Sequence, residues 1–160
     1  MAGGFANAAL VGKHDYMIRF AQDVNHSGTF NSNVISMAAS AAAIIELEKD
    51  NGAIYRQLET TGAALMDGIA AIGQQLGLPL HVQGLPTAFH VSFTELPAIK
   101  DYRDYALHCD KERYARFVLA MLTRGVRLIE RGVWYISAAH TEAQVAKTLQ
   151  AVAEALQEVG

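Results

Sequence analysis

Apolar residues recur at helical spacing through the first half of the chain and predict two long helices. The first begins near residues 31–33, because asparagine and serine side chains accept hydrogen bonds from the free amides of a first helical turn, and it continues to Leu47. The polar sequence Lys-Asp-Asn-Gly at 49–52 predicts a break. The second helix covers residues 53–76 and ends at Gly77. Its apolar stripe consists of Ile54, Leu58, Leu65, Ile69, Ile72 and Leu76.

Short apolar or alternating runs, bounded by glycine or proline, predict strands on either side of these helices. In one of them Phe89, Val91 and Phe93 alternate with His90 and Ser92, which is typical of a strand with one buried face. The predicted strands cover residues 7–11, 80–83, 88–93, 126–129 and 133–137.

Three further helices are expected. Residues 13–21 predict a short helix, and residues 110–124 predict an amphipathic helix that ends at Gly125. The last helix begins at Thr141, whose spacing to Gln144 is that of a capping box. The order of elements predicts an α/β fold with an α+β-like small domain: two long N-terminal helices, then a small, mostly antiparallel sheet covered by helices.

Composition narrows the function classes. Thirteen Lys and Arg against sixteen Asp and Glu give a net charge of −3, which argues against a dedicated nucleic-acid-binding protein. The most apolar run, residues 34–47, is shorter than the roughly 20 residues that a spanning helix needs, so no membrane association is expected. Cys109 is the single cysteine, which excludes an intramolecular disulfide and a cysteine zinc cluster and favours a cytoplasmic location.

The loop before the first long helix carries the chain's most informative chemistry. In Ser27-Gly28-Thr29-Phe30-Asn31-Ser32-Asn33, a glycine lets an anion approach the backbone and a threonine hydroxyl can donate to a phosphate oxygen. The helix start that follows offers free amides and the positive end of the helix dipole. Residue chemistry therefore predicts an anion site, and an ordinary loop whose asparagine and serine cap the helix is the alternative.

Four stretches, in order and suitably spaced over essentially the whole chain, share one family resemblance. They are the 28–33 loop with its Met-Ala-Ala helix, Ala2-Gly3-Gly4-Phe5 with residues 8–12, Gly125-Val126-Arg127-Leu128-Ile129, and residues 134–141 (WYISAAHT). Together they resemble the class-III, fold-type I aminotransferases that use pyridoxal phosphate, and among these the glutamate-1-semialdehyde aminomutase-like branch.

The resemblance implies that the chain is the C-terminal portion of a larger enzyme with the pyridoxal-phosphate transferase fold. Residues 1–30 would be a remnant of the large cofactor-binding domain, residues 31–51 the connecting helix, and residues 52–160 the small C-terminal domain. The family's cofactor lysine would lie just upstream of Met1, so no catalytic residue is assigned in this chain and it is expected to be inactive alone. Lys13 follows the Gly-Gly turn instead of preceding it and does not match that lysine.

By the same resemblance, Gly28 and Thr29 would bind the cofactor phosphate, with Thr29 reaching across the interface of a homodimer. Val34 stands where the family usually has proline, which is preorganised for a first helical turn. Arg131, at a turn between two predicted strands, is a candidate ligand for a substrate carboxylate, because arginine binds carboxylates through two parallel hydrogen bonds. A solvated turn arginine is the alternative.

The remaining polar candidates are weaker. His81 and His90 lie in strands with no third ligand in sight, so no metal site is expected. His108 and Cys109 are sequence neighbours whose side chains should diverge, which disfavours a thiol–imidazole nucleophile. His140 is interpreted as a structural hydrogen-bonding residue. The acidic and tyrosine-containing segment at 101–105 is expected to be a solvated loop.

Three hypotheses follow from these observations. The first is a C-terminal fragment of a pyridoxal-phosphate-dependent aminotransferase or aminomutase, an enzyme that moves an amino group between an amino compound and a keto acid or aldehyde. The second is a relict, non-catalytic domain that self-associates or binds anions. The third is an unrelated enzyme that uses histidine and cysteine chemistry.

Overall fold

The computed structural model describes residues 1–160. It contains five α-helices, one 3₁₀-helix and three strands. None of the helices combines the length and the apolarity that crossing a membrane requires. In chain order the elements are α1 (His14–Met17), the 3₁₀-helix (Ile18–Ala21), α2 (Val34–Gln75), β1 (Leu80–Leu85), β2 (Ala88–Phe93), α3 (Tyr102–His108), α4 (Lys111–Thr123), β3 (Val133–Tyr135) and α5 (Glu142–Val159).

The chain divides into two compact units, Met1–Ala53 and Ile54–Gly160. The division falls beside the break predicted within the long helical segment. Within α2, Lys49 is extended, and the next three residues have left-handed backbone angles, with φ of 51°, 55° and 69°. The prediction of two helices separated at 49–52 is therefore confirmed. The left-handed residues are an aspartate, an asparagine and a glycine, the residue types that tolerate this conformation best.

Few residues of the first unit are buried. Ala2, Ser36 and Ser40 are its buried residues, and Asn7 Nδ2 donates a hydrogen bond of 2.5 Å to Ser40 Oγ. The strand predicted at residues 7–11 is wrong, because this segment has no regular secondary structure. A strand needs a neighbouring ladder for its backbone hydrogen bonds, and no strand lies in this unit to supply one.

The second unit is built on an antiparallel sheet in the order β1-β2-β3. The alternation predicted for β2 is confirmed, since Phe89, Val91 and Phe93 are almost fully buried. The three residues pack with side chains from α2, α4 and α5, so helices cover this face of the sheet. The largest fully buried side chains of this core are Phe89, Phe93, Phe117, Ile69, Met121, Leu156, Val91 and Val152. The predicted fold, helices covering a small antiparallel sheet, is confirmed.

Two local predictions in the second unit are wrong. Residues 126–129 are not a strand, although Val126 and Leu128 pack against the core as the apolar pattern suggested. The segment expected to be a loop at 101–105 instead begins α3, because the Asp101 carboxylate accepts hydrogen bonds from the amides of Arg103 and Asp104 and caps the helix.

Side-chain caps fix the starts of the last two helices, and the capping box predicted at Thr141 is confirmed. Asp110 caps α4 through a 2.8 Å hydrogen bond from the amide of Arg113. Thr141 and Gln144 form a reciprocal capping box at the start of α5. These caps satisfy amides that a first helical turn leaves free and so fix where each helix begins.

Candidate functional site

The predicted phosphate loop lies in the first unit and leads directly into α2. Its backbone makes two overlapping turns: the Asn31 amide donates to the Gly28 carbonyl at 3.0 Å, and the Asn33 amide donates to the Phe30 carbonyl at 3.2 Å. Ser32, between them, has a left-handed φ of 59°. The two turns compress the segment into a compact loop before the helix.

The start of α2 is capped as the sequence predicted. Asn33 Oδ1 accepts a hydrogen bond of 3.1 Å from the amide of Ser36, and the helix begins at Val34. Val34 is therefore the first helical residue, the position at which proline would be tolerated. Helix α2 therefore begins at this position without a proline.

Gly28 and Thr29 are both exposed, so an anion from solvent can reach them. The Thr29 amide and hydroxyl donate to no acceptor within the chain. A side chain at position 28 would meet the Asn31 carboxamide at 3.1 Å, so glycine keeps the approach to this loop open. The loop therefore offers a free backbone donor and a free hydroxyl donor beside a helix start, which suits a phosphate group.

The predicted substrate-carboxylate residue lies in the second unit. The Arg131 side chain is exposed and makes no salt bridge within the chain. Its backbone carbonyl, in contrast, accepts a hydrogen bond. His90 Nε2 lies 3.0 Å from that carbonyl oxygen, and the ring of Tyr105 meets the His90 ring edge-on with centroids 5.4 Å apart. We call His90, Tyr105 and Arg131 the outer-face cluster, because His90 points away from the core side of β2.

Partial burial shifts the pKa values of His90 and Tyr105 in this cluster. Desolvation is the main cause that lowers the pKa of His90; the hydrogen bond to the Arg131 carbonyl raises it, and His81 lowers it further. Desolvation also raises the pKa of Tyr105, and the positive charge of Arg131 opposes that rise. At neutral pH the cluster therefore presents a neutral imidazole, a protonated phenol and one guanidinium charge.

The other histidine and cysteine candidates have separate partners. His81 Nε2 lies 2.8 Å from Gln83 Oε1, so His81 and His90 are bonded to different groups. Cys109 is a buried free thiol. His140 Nδ1 accepts a 3.2 Å hydrogen bond from the amide of Ser137, as expected of a structural hydrogen-bonding residue.

Sequence reasoning missed the outer-face cluster as a group. From the sequence alone, Tyr105 is expected in a loop and His90 is considered only as a metal ligand. One signal was available, because the alternation in β2 puts His90 on the face opposite Phe89 and Val91. The pairing of His90 with Arg131 spans 41 residues and has no local signature.

The second unit also has a cavity of about 280 Å³. Leu65, Leu128, Trp134 and Val145 form much of its apolar lining, with His140 at its edge. None of the residues predicted to bind cofactor or substrate lines it.

Comparison with known proteins gives a consistent picture. No family model matches the chain. It is 34% identical over 164 aligned residues to a glutamate-1-semialdehyde 2,1-aminomutase from Desulfitobacterium hafniense, an alignment that covers 100% of this chain and 37% of that protein. Among solved structures it is similar to an omega-transaminase from Sphaerobacter thermophilus, with a TM-score of 0.75 and 23% identity, over 92% of this chain and 34% of that one. It is also similar to a glutamate-1-semialdehyde aminomutase from Pseudomonas aeruginosa PAO1, with a TM-score of 0.74 and 24% identity, over 87% and 31%.

The resemblance to the aminomutase-like branch of the class-III aminotransferases is confirmed by these matches. The chain spans only 37% of the length of the curated relatives that it matches first. The likeness to the solved structures, at under 25% identity, establishes the fold of this portion.

Proposed function

We propose that this chain is the C-terminal part of a pyridoxal-phosphate-dependent class-III aminotransferase or aminomutase. The enzyme would move an amino group between an amino compound and a keto acid or aldehyde. The observation that carries this proposal is the similarity of the whole chain, at 34% identity, to glutamate-1-semialdehyde 2,1-aminomutase. In this reaction the chain would bind and orient the cofactor phosphate and a carboxylate of the substrate.

The assignment of domains is part of the proposal. Residues 1–30 belong to the large cofactor-binding domain, residues 31–51 form the connecting helix, and residues 52–160 form the small C-terminal domain. The helical break at 49–52 and the division of the chain after Ala53 support a boundary at this place.

Gly28 and Thr29 hold the cofactor phosphate in this proposal. The Thr29 hydroxyl and amide are free donors, and the absence of a side chain at Gly28 lets a phosphate oxygen approach the backbone. When bound, pyridoxal phosphate supplies the aldehyde and the electron-withdrawing ring that amino-group transfer requires. The loop contributes anchoring, because two donors to one phosphate fix the position of the cofactor.

Arg131 binds a carboxylate of the substrate in this proposal. Its guanidinium is exposed and is not engaged in a salt bridge, so both of its parallel donors remain available. A substrate with a carboxylate, such as an amino acid or a keto acid, would gain orientation from this contact.

The enzyme is proposed to be a cytoplasmic homodimer in which Thr29 reaches the partner's cofactor. Support comes from large apolar side chains that the first unit leaves exposed around the loop and the helix after it. Phe30 is 86% exposed and Val34 81%, and Ile35 and Ile45 are also largely exposed. Apolar patches of this kind mark surfaces that pack against another protein or domain.

A fusion protein tests the proposed function. The part of the Desulfitobacterium hafniense aminomutase that this chain does not cover is joined to residue 1, and cofactor affinity is measured by absorbance titration with pyridoxal phosphate. Thr29→Ala should weaken the affinity by about tenfold or more, because a hydrogen bond to a charged group contributes about 1.5–3 kcal/mol. The matched control Thr29→Ser keeps the hydroxyl and should bind nearly as well as the parent fusion. A folded fusion that binds no cofactor, or a Thr29→Ala variant of unchanged affinity, would contradict the proposal.

A non-catalytic, self-associating domain is the second candidate, favoured by the same exposed apolar residues of the first unit. Two measurements together distinguish this candidate from the first proposal: sedimentation of the 160-residue chain and the cofactor titration of the fusion protein. A chain that self-associates while the folded fusion shows no cofactor binding and no amino transfer would favour the second candidate.

A further inference from the structure

The turn that carries Arg131 is tied to β2 at two places. The Val91 amide donates to the Gly132 carbonyl at 2.9 Å, and His90 Nε2 meets the Arg131 carbonyl at 3.0 Å. A carbonyl oxygen can only accept, so His90 Nε2 carries the proton and donates. The turn is also closed on itself by a 3.3 Å hydrogen bond from the Gly132 amide to the Ile129 carbonyl.

Gly132 shows how closely the turn fits the imidazole. Its φ is +84°, and a Cβ atom there would lie 2.5 Å from His90 Nε2 and 2.7 Å from the Val91 carbonyl oxygen. Only glycine adopts this conformation readily and leaves that space open. The His90 ring therefore occupies the space that a side chain at position 132 would fill.

The ring of His90 is itself supported from α3. Tyr105 packs edge-on against it at 5.4 Å, so the imidazole is held between the turn and a helix. His90 is faced by Tyr105 from α3, by His81 from β1 and by the backbone carbonyl of Arg131 from the turn, and the Arg131 charge acts on Tyr105. No carboxylate is among these groups, so none of them competes with a carboxylate ligand for Arg131.

We propose that His90 is a positioning residue that fixes the backbone of Arg131 and thereby presents its guanidinium to a carboxylate ligand. The inference rests on the proposed function only in the role given to Arg131. Because His90 holds the Arg131 carbonyl, the backbone fixes the direction of the Cα–Cβ bond from which the Arg131 side chain extends. A fixed backbone reduces the conformational freedom that ligand binding must remove, which favours affinity.

Amide hydrogen exchange of the 160-residue chain tests the positioning step. His90→Phe keeps an aromatic ring but removes the donor, and we expect the exchange rate of the Val91 amide to rise by up to about tenfold, the effect of losing one hydrogen bond. His90→Gln can donate from its side-chain amide and should restore most of the protection. His81→Phe, on the same face of the sheet but bonded to Gln83, is the matched control and should leave Val91 unchanged. Unchanged exchange at Val91 in His90→Phe would overturn the proposal.

Titration with glutarate, a simple dicarboxylate, tests the presentation step. The Arg131 side-chain NMR signal should shift on binding, Arg131→Ala should abolish binding, and His90→Phe should weaken it severalfold with recovery in His90→Gln. Equal glutarate affinity in His90→Phe and in the unsubstituted chain would overturn the proposal. Loss of Val91 protection without any glutarate binding in the unsubstituted chain would contradict the carboxylate role of Arg131, and with it the presentation step, while Gly28 and Thr29 would still be tested separately by the fusion.

Discussion

The indole Nε1 of Trp134 donates a hydrogen bond of 3.1 Å to the hydroxyl oxygen of Tyr114 inside the core of the second unit. Trp134 comes from β3 and Tyr114 from α4, so the bond joins the sheet to the helix that covers it. Both side chains are about 95% buried. Burial is the main cause that raises the pKa of Tyr114 to about 12, opposed by the Trp134 bond, so the phenol stays protonated under ordinary conditions.

Tyr114→Phe tests the contribution of this bond. The substitution leaves the indole N–H buried without an acceptor, and we expect the free energy of unfolding to fall by about 1–3 kcal/mol. Urea denaturation followed by Trp134 fluorescence, the signal of the only tryptophan, measures the loss. Tyr55→Phe removes a hydroxyl from an exposed site and should change stability little. Equal denaturation midpoints for Tyr114→Phe and the unsubstituted chain would show that the bond contributes nothing.

Gly62 is predicted to be intolerant of any side chain. A Cβ atom there would lie 1.8 Å from the carbonyl oxygen of Pro86, a backbone atom that cannot move aside cheaply. Alanine is intrinsically the better helix former by about 1 kcal/mol, but we expect overpacking to prevail and to lower stability by about 1–3 kcal/mol net. Thermal unfolding monitored by circular dichroism provides the measurement. Gly12→Ala, where the nearest atom would be 3.4 Å away, is the matched control, and a higher melting temperature for Gly62→Ala would be the contrary result.

His90 should make stability depend on pH on the acidic side of neutrality. Its folded-state pKa lies below the ordinary value of 6.5, chiefly through desolvation, so the unfolded chain binds the proton more readily. Its contribution to stability is then fully present above about pH 6.5 and is lost as pH falls through the folded-state value. Denaturation midpoints from pH 7.5 to 5 should fall less steeply for His90→Gln than for the unsubstituted chain. An NMR titration midpoint for His90 at or above 6.5 would contradict this account.

The helices could be predicted from the sequence more reliably than the strands. The 49–52 break and the capping box at Thr141 are local signals that the sequence predicts, and the structure has both. The apolar runs at 7–11 and 126–129 look like strands, but a strand also requires a partner ladder, which hydrophobic pattern alone does not specify. In the second case the pattern predicted burial correctly, since Val126 and Leu128 pack on the core.

In the candidate site, too, features formed by neighbouring residues could be predicted from the sequence, whereas contacts between distant residues could not. The loop at Gly28 and Thr29 could be predicted because glycine, hydroxyl and helix start are adjacent in sequence. The support of Arg131 by His90 could not be predicted, because the hydrogen bond depends on the register by which β3 is placed beside β2. Asp101 could have indicated α3, since its spacing to Asp104 is that of a helix start with an acidic first turn.

We propose that this chain supplies the loop that binds the cofactor's phosphate, whereas the lysine that binds the cofactor belongs to another part of the enzyme. The most direct test reduces the cofactor-loaded fusion protein with borohydride and locates the pyridoxyl group by peptide mass spectrometry. The account predicts one stoichiometric adduct on a lysine of the upstream aminomutase portion and none on Lys13, Lys49, Lys100, Lys111 or Lys147. A saturable, stoichiometric adduct on any of these five lysines would contradict it.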